Sequence, residues 1–262
     1  MEEILNQMLP HERLDIYQLY LRTTSRCSDI ESPAVGQRVV FGHLERATES
    51  IGINLIRGNS QPAGSPTRAN YLDIAIGSAH ECASCLDICL AQYVITKEVH
   101  ESITDDFWRI RGMLLGMKRI RQSSFKETQS PYGKPGFPFA QLEMYRLSLE
   151  FIRWIYDFLA ESKIASRIQH RLDKSSTGTA LNIAEGHGRT STADQNRFMK
   201  VAQDHAYQGI LLLDLIAARD SNLAIQSAEG KSLQSRIIAM LNAWRESNTT
   251  RVDDSGRRLR KS

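Results

Sequence analysis

Apolar residues recur at steps of three and four along most of the chain, and the elements this spacing predicts are all helices. Between His11 and about Asp29 the stripe is Leu14, Tyr17, Tyr20 and Leu21, widened by Ile16 and Leu19. Ser32 before Pro33 has the pattern of an N-cap and first helical residue. Val39, Val40, Leu44, Ala47, Ile51 and Leu55 then carry a second helix to Arg57. The loop NSQPAGSP ends in another cap, Ser65 before Pro66, and opens a third helix to about Tyr93 whose inward positions are Leu72, Ala75, Ile76, Ala79, Ala83 and Leu86. A fourth helix, from about Asp105 to Gln122, presents Phe107, Ile110, Leu114 and Met117. The span SSFKETQSPYGKPGFP, with three prolines and two glycines, predicts a linker. Four more helices follow, Phe139 to Ala160, Ser162 to Glu185, Ser191 to Arg219 and Leu223 to Glu246, with Ser191 and Asp194 as a capping-box variant. No sustained period-two alternation and no Asn-Gly or Asp-Gly turn predicts a strand.

The two sets of four helices are related in sequence. LNIAEG, Leu181 to Gly186, is matched by INLIRG, Ile53 to Gly58, each with an Asn (Asn182, Asn54) four residues before a Gly (Gly186, Gly58). An apolar helical run stopping at Gly predicts a left-handed C-terminal cap at Gly58 and Gly186. The offset of 128 also carries Leu14–Leu21 onto Leu142–Leu149; beyond the Gly it becomes 127, carrying Tyr71–Ala75 onto Phe198–Ala202 and Ile110, Met113 and Leu114 onto Ile237, Met240 and Leu241. One register held through several segments predicts a duplicated module. The expected fold is all-α, two tandem up-and-down four-helix bundles at residues 1–122 and 139–247, joined by a linker at 123–138 and followed by a basic, disordered tail at 248–262.

Composition changes this picture little. An apolar content of 41% in 262 residues is enough for two cores. With no run of about 18 uncharged apolar residues and an acidic start, MEEILNQML, the expectation is a soluble cytoplasmic protein without a membrane partner, its four cysteines reduced. Net charge is +3, but residues 1–130 hold 14 Lys and Arg against 16 Asp and Glu, and the remainder 19 against 14. This surplus permits a nucleic-acid partner without requiring one.

Candidate chemistry is sparse. Asn54 and Asn182, inside apolar runs, are expected to face a neighbouring helix and set its register. Glu185 and His187 flank Gly186 with no nucleophile or metal beside them, so no catalytic residues are assigned. Cys82, Cys85 and Cys89 lie on one stripe with His80 nearby. The spacing admits a metal or redox site with Cys27, but Cys85 and Cys89 align with Leu212 and Ile216, which favours packing and no metal or cofactor. Basic residues are the stronger suspects for phosphate contact. They are Arg46, Arg57 and Arg68; Lys118, Arg119, Arg121 and Lys126; Lys174, Arg189 and Arg197; and Arg257, Arg258 and Arg260 in the tail.

The segments RATESIGINLIRGNS and YLDIAIGSAHE, with LNIAEGHGR and RFMKVA in the second half, resemble the four-helix bundle proteins encoded in intervening sequences of bacterial large-subunit ribosomal RNA genes. The same family includes the accessory variability determinant of diversity-generating retroelements. The resemblance implies a small non-enzymatic protein, often a homo-oligomer, which in the retroelement branch binds a reverse transcriptase and its template RNA through basic surfaces. The chain departs from the pattern as a tandem fusion, with Leu-Ile-Arg for Ile-Ala-Glu in the first copy and Gly178-Thr179 for Ser-Ile in the second. The expected function is an accessory or scaffold in a ribonucleoprotein. The alternatives are a protein-interaction adaptor without nucleic-acid contact and a cysteine-based metal or redox sensor.

Overall fold

The computed structural model describes residues 9, 11–30, 38–119, 136–189 and 191–249, and among them the chain is all-α, with eight α-helices and no strand. The chain divides into two compact units, Met1–Pro33 with Val40–Phe137, and Ala34–Val39 with Pro138–Ser262. Most of the expected linker and tail falls outside the described residues, as does the Ser32–Pro33 cap.

The first unit contains α1 (Asp15–Ser28), α2 (Arg38–Asn59), α3 (Pro66–Ala91) and α4 (Lys97–Arg119). α1 buries Ile16, Leu19, Thr23 and Cys27 at steps of three and four and packs on α4. α3 begins where Ser65 takes the Arg68 N–H at 3.1 Å and Pro66, lacking an N–H, fills the first turn. The apolar length of α3 would suffice to cross a membrane, but 78% of that stretch is buried inside the protein, as befits the central helix of a bundle. Its small residues let α2 approach: Ser78 donates to Ser50 Oγ at 2.7 Å across the pair. α4 starts two turns before the expected Asp105, because its first turns are polar and carry no stripe. Thr96 takes the Val99 N–H at 3.4 Å, and Ile103 is already in the core.

The left-handed caps expected at Gly58 and Gly186 are not there. Gly58 lies inside α2, Gly186 inside the helix that ends the matching segment, and neither has positive φ. Both are glycine because another helix passes close by. A Cβ on Gly58 would come 3.1 Å from Leu72 Cδ2, and one on Gly186 would come 2.9 Å from Phe198 Cβ. A left-handed cap does occur, at Tyr93 (φ 59°). Its N–H reaches Leu90 O at 3.1 Å and the Val94 N–H reaches Cys89 O at 2.9 Å, a Schellman closure of α3.

The second unit contains α5 (Glu143–Glu161), α6 (Ser166–Gly188), α7 (Thr192–Arg219) and α8 (Ala224–Thr249), with short 3₁₀ turns at Pro138–Gln141 and Ser221–Leu223. Each helix packs on the next and α5 closes the ring against α8, the arrangement of an up-and-down bundle. α7 is capped by Ser191, which takes the Asp194 N–H at 3.4 Å. Its core is more polar than that of the first unit. Ser175, Ser176 and Thr179 of α6 are buried and return their hydroxyl hydrogens to carbonyls one turn back.

Candidate nucleic-acid interface

The two asparagines bond first within their own helices, and Asn54 Nδ2 also lies 3.3 Å from Ser50 Oγ, which accepts from Ser78 of α3. Asn54 Nδ2 donates to Ser50 O at 2.8 Å and Asn182 Nδ2 to Gly178 O at 2.7 Å, each a carbonyl of its own helix one turn back. A side-chain amide on the preceding carbonyl satisfies itself locally. Each amide is thus satisfied within its own helix, and Asn54 meets α3 through Ser50.

The basic residues divide by environment. Arg46 and Arg57 of α2 are exposed, and eleven residues, three turns, put them on one face. The Arg57 guanidinium lies 6.0 Å from the Tyr71 ring centroid. Arg68, expected on the surface, is only 8% exposed. Its Nη1 donates to the Gly58 and Gln61 carbonyls, both at 3.3 Å, closing the end of α2, while its Nε has no partner. Burying a guanidinium there supplies donors to carbonyls that the helix end leaves open.

Arg68 also lines a cavity of about 360 Å³ together with Ser65, Ala69, Leu115, Lys118 and Arg119. Three of the sequence-predicted cations therefore converge on one place, at the start of α3 and the end of α4. Lys118 is tied to Asp73 of α3 with both oxygens within 2.7 Å, a partner the sequence reading missed because nothing in the spacing marks a contact between helices 45 residues apart. Arg57 stands near the same end of the unit, since its helix closes on Arg68.

In the second unit Lys174 is exposed on α6. Arg189 and Arg197 flank one ring, their guanidinium carbons 4.9 and 4.8 Å from the Phe198 centroid. Each also has an acid: Arg189 pairs with Glu185, and Arg197 lies 3.5 Å from Asp194. Their charges are thus partly compensated where those of Arg68 are not. Arg121, Lys126, Arg257, Arg258 and Arg260 lie outside the described residues.

The remaining candidates have structural settings. Glu185 is held by Arg189, and His187 is half-buried 6.0 Å from the Trp244 ring, burial pushing its pKa down. Cys27, Cys82, Cys85 and Cys89 are free, buried thiols. Burial pushes Cys27 and Cys89 up to about 12, and Cys82 and Cys85 well above the ordinary thiol value. His80 accepts from Arg111 Nε at 2.9 Å and sits edge-on to Phe137. Among the described residues no three His, Cys, Asp or Glu side chains are placed to hold a metal ion. Buried thiols held protonated in this way are weak nucleophiles at neutral pH.

The architecture defines a helical-bundle protein whose first unit has a cavity lined by Arg68, Lys118 and Arg119. Residues 12–116 match the family model described as 23S rRNA-intervening sequence protein, a span running from just before α1 almost to the end of α4. The match falls on the helices of the first unit and spans 105 of the 262 residues. No curated protein and no solved structure matches the chain.

Proposed function

We propose that the chain is a non-enzymatic, RNA-associated helical scaffold whose first unit presents a cationic end to phosphate groups. The observation that carries this reading is the convergence of Arg68, Lys118 and Arg119 on one cavity at the end of the family-matched bundle. Phosphate recognition by Lys, Arg and a helix start requires no base readout, which suits structured RNA of varied sequence. The finer placement is beside a reverse transcriptase in a retroelement ribonucleoprotein, supported by the sequence resemblance to the accessory determinants of such elements.

We further read the two units as descendants of one module, residues 1–122 and 139–247. Supporting this, positions related by the repeat offsets are buried in both: Leu44 and Leu172, Leu55 and Ile183, Ala75 and Ala202, Leu86 and Leu213, Ile110 and Ile237, Leu114 and Leu241. The end of the second helix is also closed alike. Gln195, 127 residues after Arg68, donates to Arg189 O at 2.7 Å, and Arg189 lies 128 residues after Gln61.

The test is binding of the full chain to structured RNA across a salt series. Two or three phosphate contacts give a slope of log K against log salt of about −2 to −3. Absence of affinity at low salt removes the RNA reading. A second reading, a protein adaptor, is favoured by Tyr207, Leu211 and Leu215, exposed at steps of four on α7. The positions 127 residues earlier, His80, Ser84 and Ile88, are buried. A reverse transcriptase retained after nuclease treatment, with no RNA affinity at low salt, would favour the adaptor.

A further inference from the structure

We infer that the N-terminal half of α8, residues 224–234, is a hinged strap that opens from the second unit while the rest of α8 stays docked, baring the aromatic face of α5 beneath it. The inference is independent of the RNA-associated reading. Three residues of this half are buried, Ser227, Gly230 and Gln234, and none brings an apolar side chain into the core. The other half is held by Ile237, Ile238 and Leu241. Burial of apolar surface is what fixes a helix to its neighbours, so the two halves are held unequally.

Gln234 adds a cost to the closed state. It is fully buried, and neither its amide nitrogen nor its amide oxygen has a hydrogen-bond partner among the described residues; the buried Ser227 hydroxyl has none either. Closed packing leaves these three groups unsatisfied, and opening returns them to water. Gly230 shows how closely the strap lies. A Cβ there would come 2.4 Å from the Trp154 ring and 3.0 Å from Leu213 Cδ1, so only a hydrogen fits between α8 and α5. The Trp154 ring stacks in turn on Phe151 and Phe158, with centroids 5.9 and 5.0 Å away, and this ladder is the face the strap covers. Among the described residues, one side-chain bond ties residues 224–234 to another helix, the pair of Lys231 with Asp214 of α7, and both of its ends are partly exposed.

The first unit shows what a firmly held counterpart contains. At the repeat offset of 127, Gly230 and Gln234 fall on Ile103 and Phe107 of α4, 2% and 0% exposed. The same stretch of helix is an apolar anchor in one unit and polar in the other. Local opening draws on segments with few buried apolar groups, and residues 224–234 meet that description in the second unit.

The test is native-state hydrogen exchange on the full chain, read as protection factors so that sequence effects on the chemical rate cancel. Residues 228–234, past the first turn of α8, are compared with 238–244 of the same helix and with 101–107, the stretch of α4 equally far from its helix start. The expected result is protection over 228–234 about tenfold or more below that of either. Protection equal to that of 238–244 overturns the strap, because α8 then moves as one piece. Protection equal to that of 101–107 overturns it too, because the difference within α8 is then ordinary fraying of a helix end. Gln234→Leu, which removes the unpaired amide and adds apolar contact, should raise protection over 228–234 about fivefold or more and leave 101–107 unchanged. Gly230→Ala should lower it although alanine favours helix, since the methyl meets the Trp154 ring. Should Gly230→Ala not fold, Gln234→Leu decides alone, and unchanged protection in that variant overturns the proposal.

Discussion

Lys118 Nζ lies 2.6 and 2.7 Å from the two carboxylate oxygens of Asp73, joining the last turn of α4 to the second turn of α3. Both side chains are about a third exposed, so the pair is worth at most about 1 kcal/mol to the fold. Its larger effect is on the cavity, where Asp73 offsets one of three cations. Asp73→Asn should therefore lower stability by less than about 1 kcal/mol. It should raise RNA affinity about fivefold at low ionic strength, since one charge a few ångströms away in a solvated setting is worth about 1 kcal/mol. The gain should vanish in high salt. Electrophoretic or fluorescence binding curves at two salt concentrations check this, and an affinity unchanged at low salt would show that Lys118 takes no part in RNA contact.

Gly186 separates two physical explanations of one residue. A left-handed cap tolerates Asn nearly as well as Gly. A close helix approach does not, and here a Cβ would lie 2.9 Å from Phe198 Cβ, 3.2 Å from Met199 Cε and 3.4 Å from Gln195 O. Gly186→Ala gains about 1 kcal/mol of helix propensity and loses about 1–3 kcal/mol to overpacking, so the expected outcome is mild destabilisation. Gly186→Asn should cost clearly more than Ala. Urea denaturation of the two variants gives the order, and Asn at or above Ala in stability contradicts the packing account.

Helix identity was legible because an apolar stripe is a property of one segment read alone. Leu72, Ala75 and Leu86 announce α3, and Ser65 before Pro66 announces its start. What the stripe cannot report is a polar beginning, and so α4 was expected from Asp105 when it starts at Lys97. Nor does it report which glycine turns the chain. Gly58 and Gly186 pack helices together, while the left-handed conformation falls to Tyr93. Of the candidate site, the identities of Arg68, Lys118 and Arg119 were readable as charge. Their convergence was not, because it depends on α3 and α4 lying side by side. One signal was available: the offset of 127 sets Gln195 opposite Arg68, and a neutral residue at the equivalent position hints that Arg68 closes a helix end.

The thiols predict a pH dependence. In the folded chain Cys27 and Cys89 sit at about 12, and Cys82 and Cys85 well above the ordinary value, all through burial. In the unfolded chain they ionise near 8.5. Between these limits the folded state binds more protons, so stability is full below about pH 8.5 and falls as pH rises, by at most about 1.4 kcal/mol per pH unit for each thiol. Thermal melts of the wild type and of a Cys27→Ala, Cys89→Ala variant between pH 8 and 10 should converge as pH rises. Native thiols should also resist alkylation at pH 8, where a group titrating at about 12 is ionised in about one molecule in ten thousand. Rapid stoichiometric labelling of the native protein would contradict this burial.

Arg68 does two things that the second unit allows to be separated. It closes the end of α2 through the Gly58 and Gln61 carbonyls, and it brings a charge to the cavity. Gln195 performs the closing function alone, donating to Arg189 O at 2.7 Å with no charge. Arg68→Gln should thus keep most of the closure and cost about 1 kcal/mol or less, whereas Arg68→Ala leaves both carbonyls without this donor and costs about 1–3 kcal/mol. Binding should not follow that order. Both variants remove the charge, so both should lose phosphate and RNA affinity about tenfold and shallow the salt slope by about one contact. Denaturation and salt-titrated binding on the same two proteins decide the matter: affinity that tracks stability, with Arg68→Gln binding like wild type, would assign Arg68 to the fold alone.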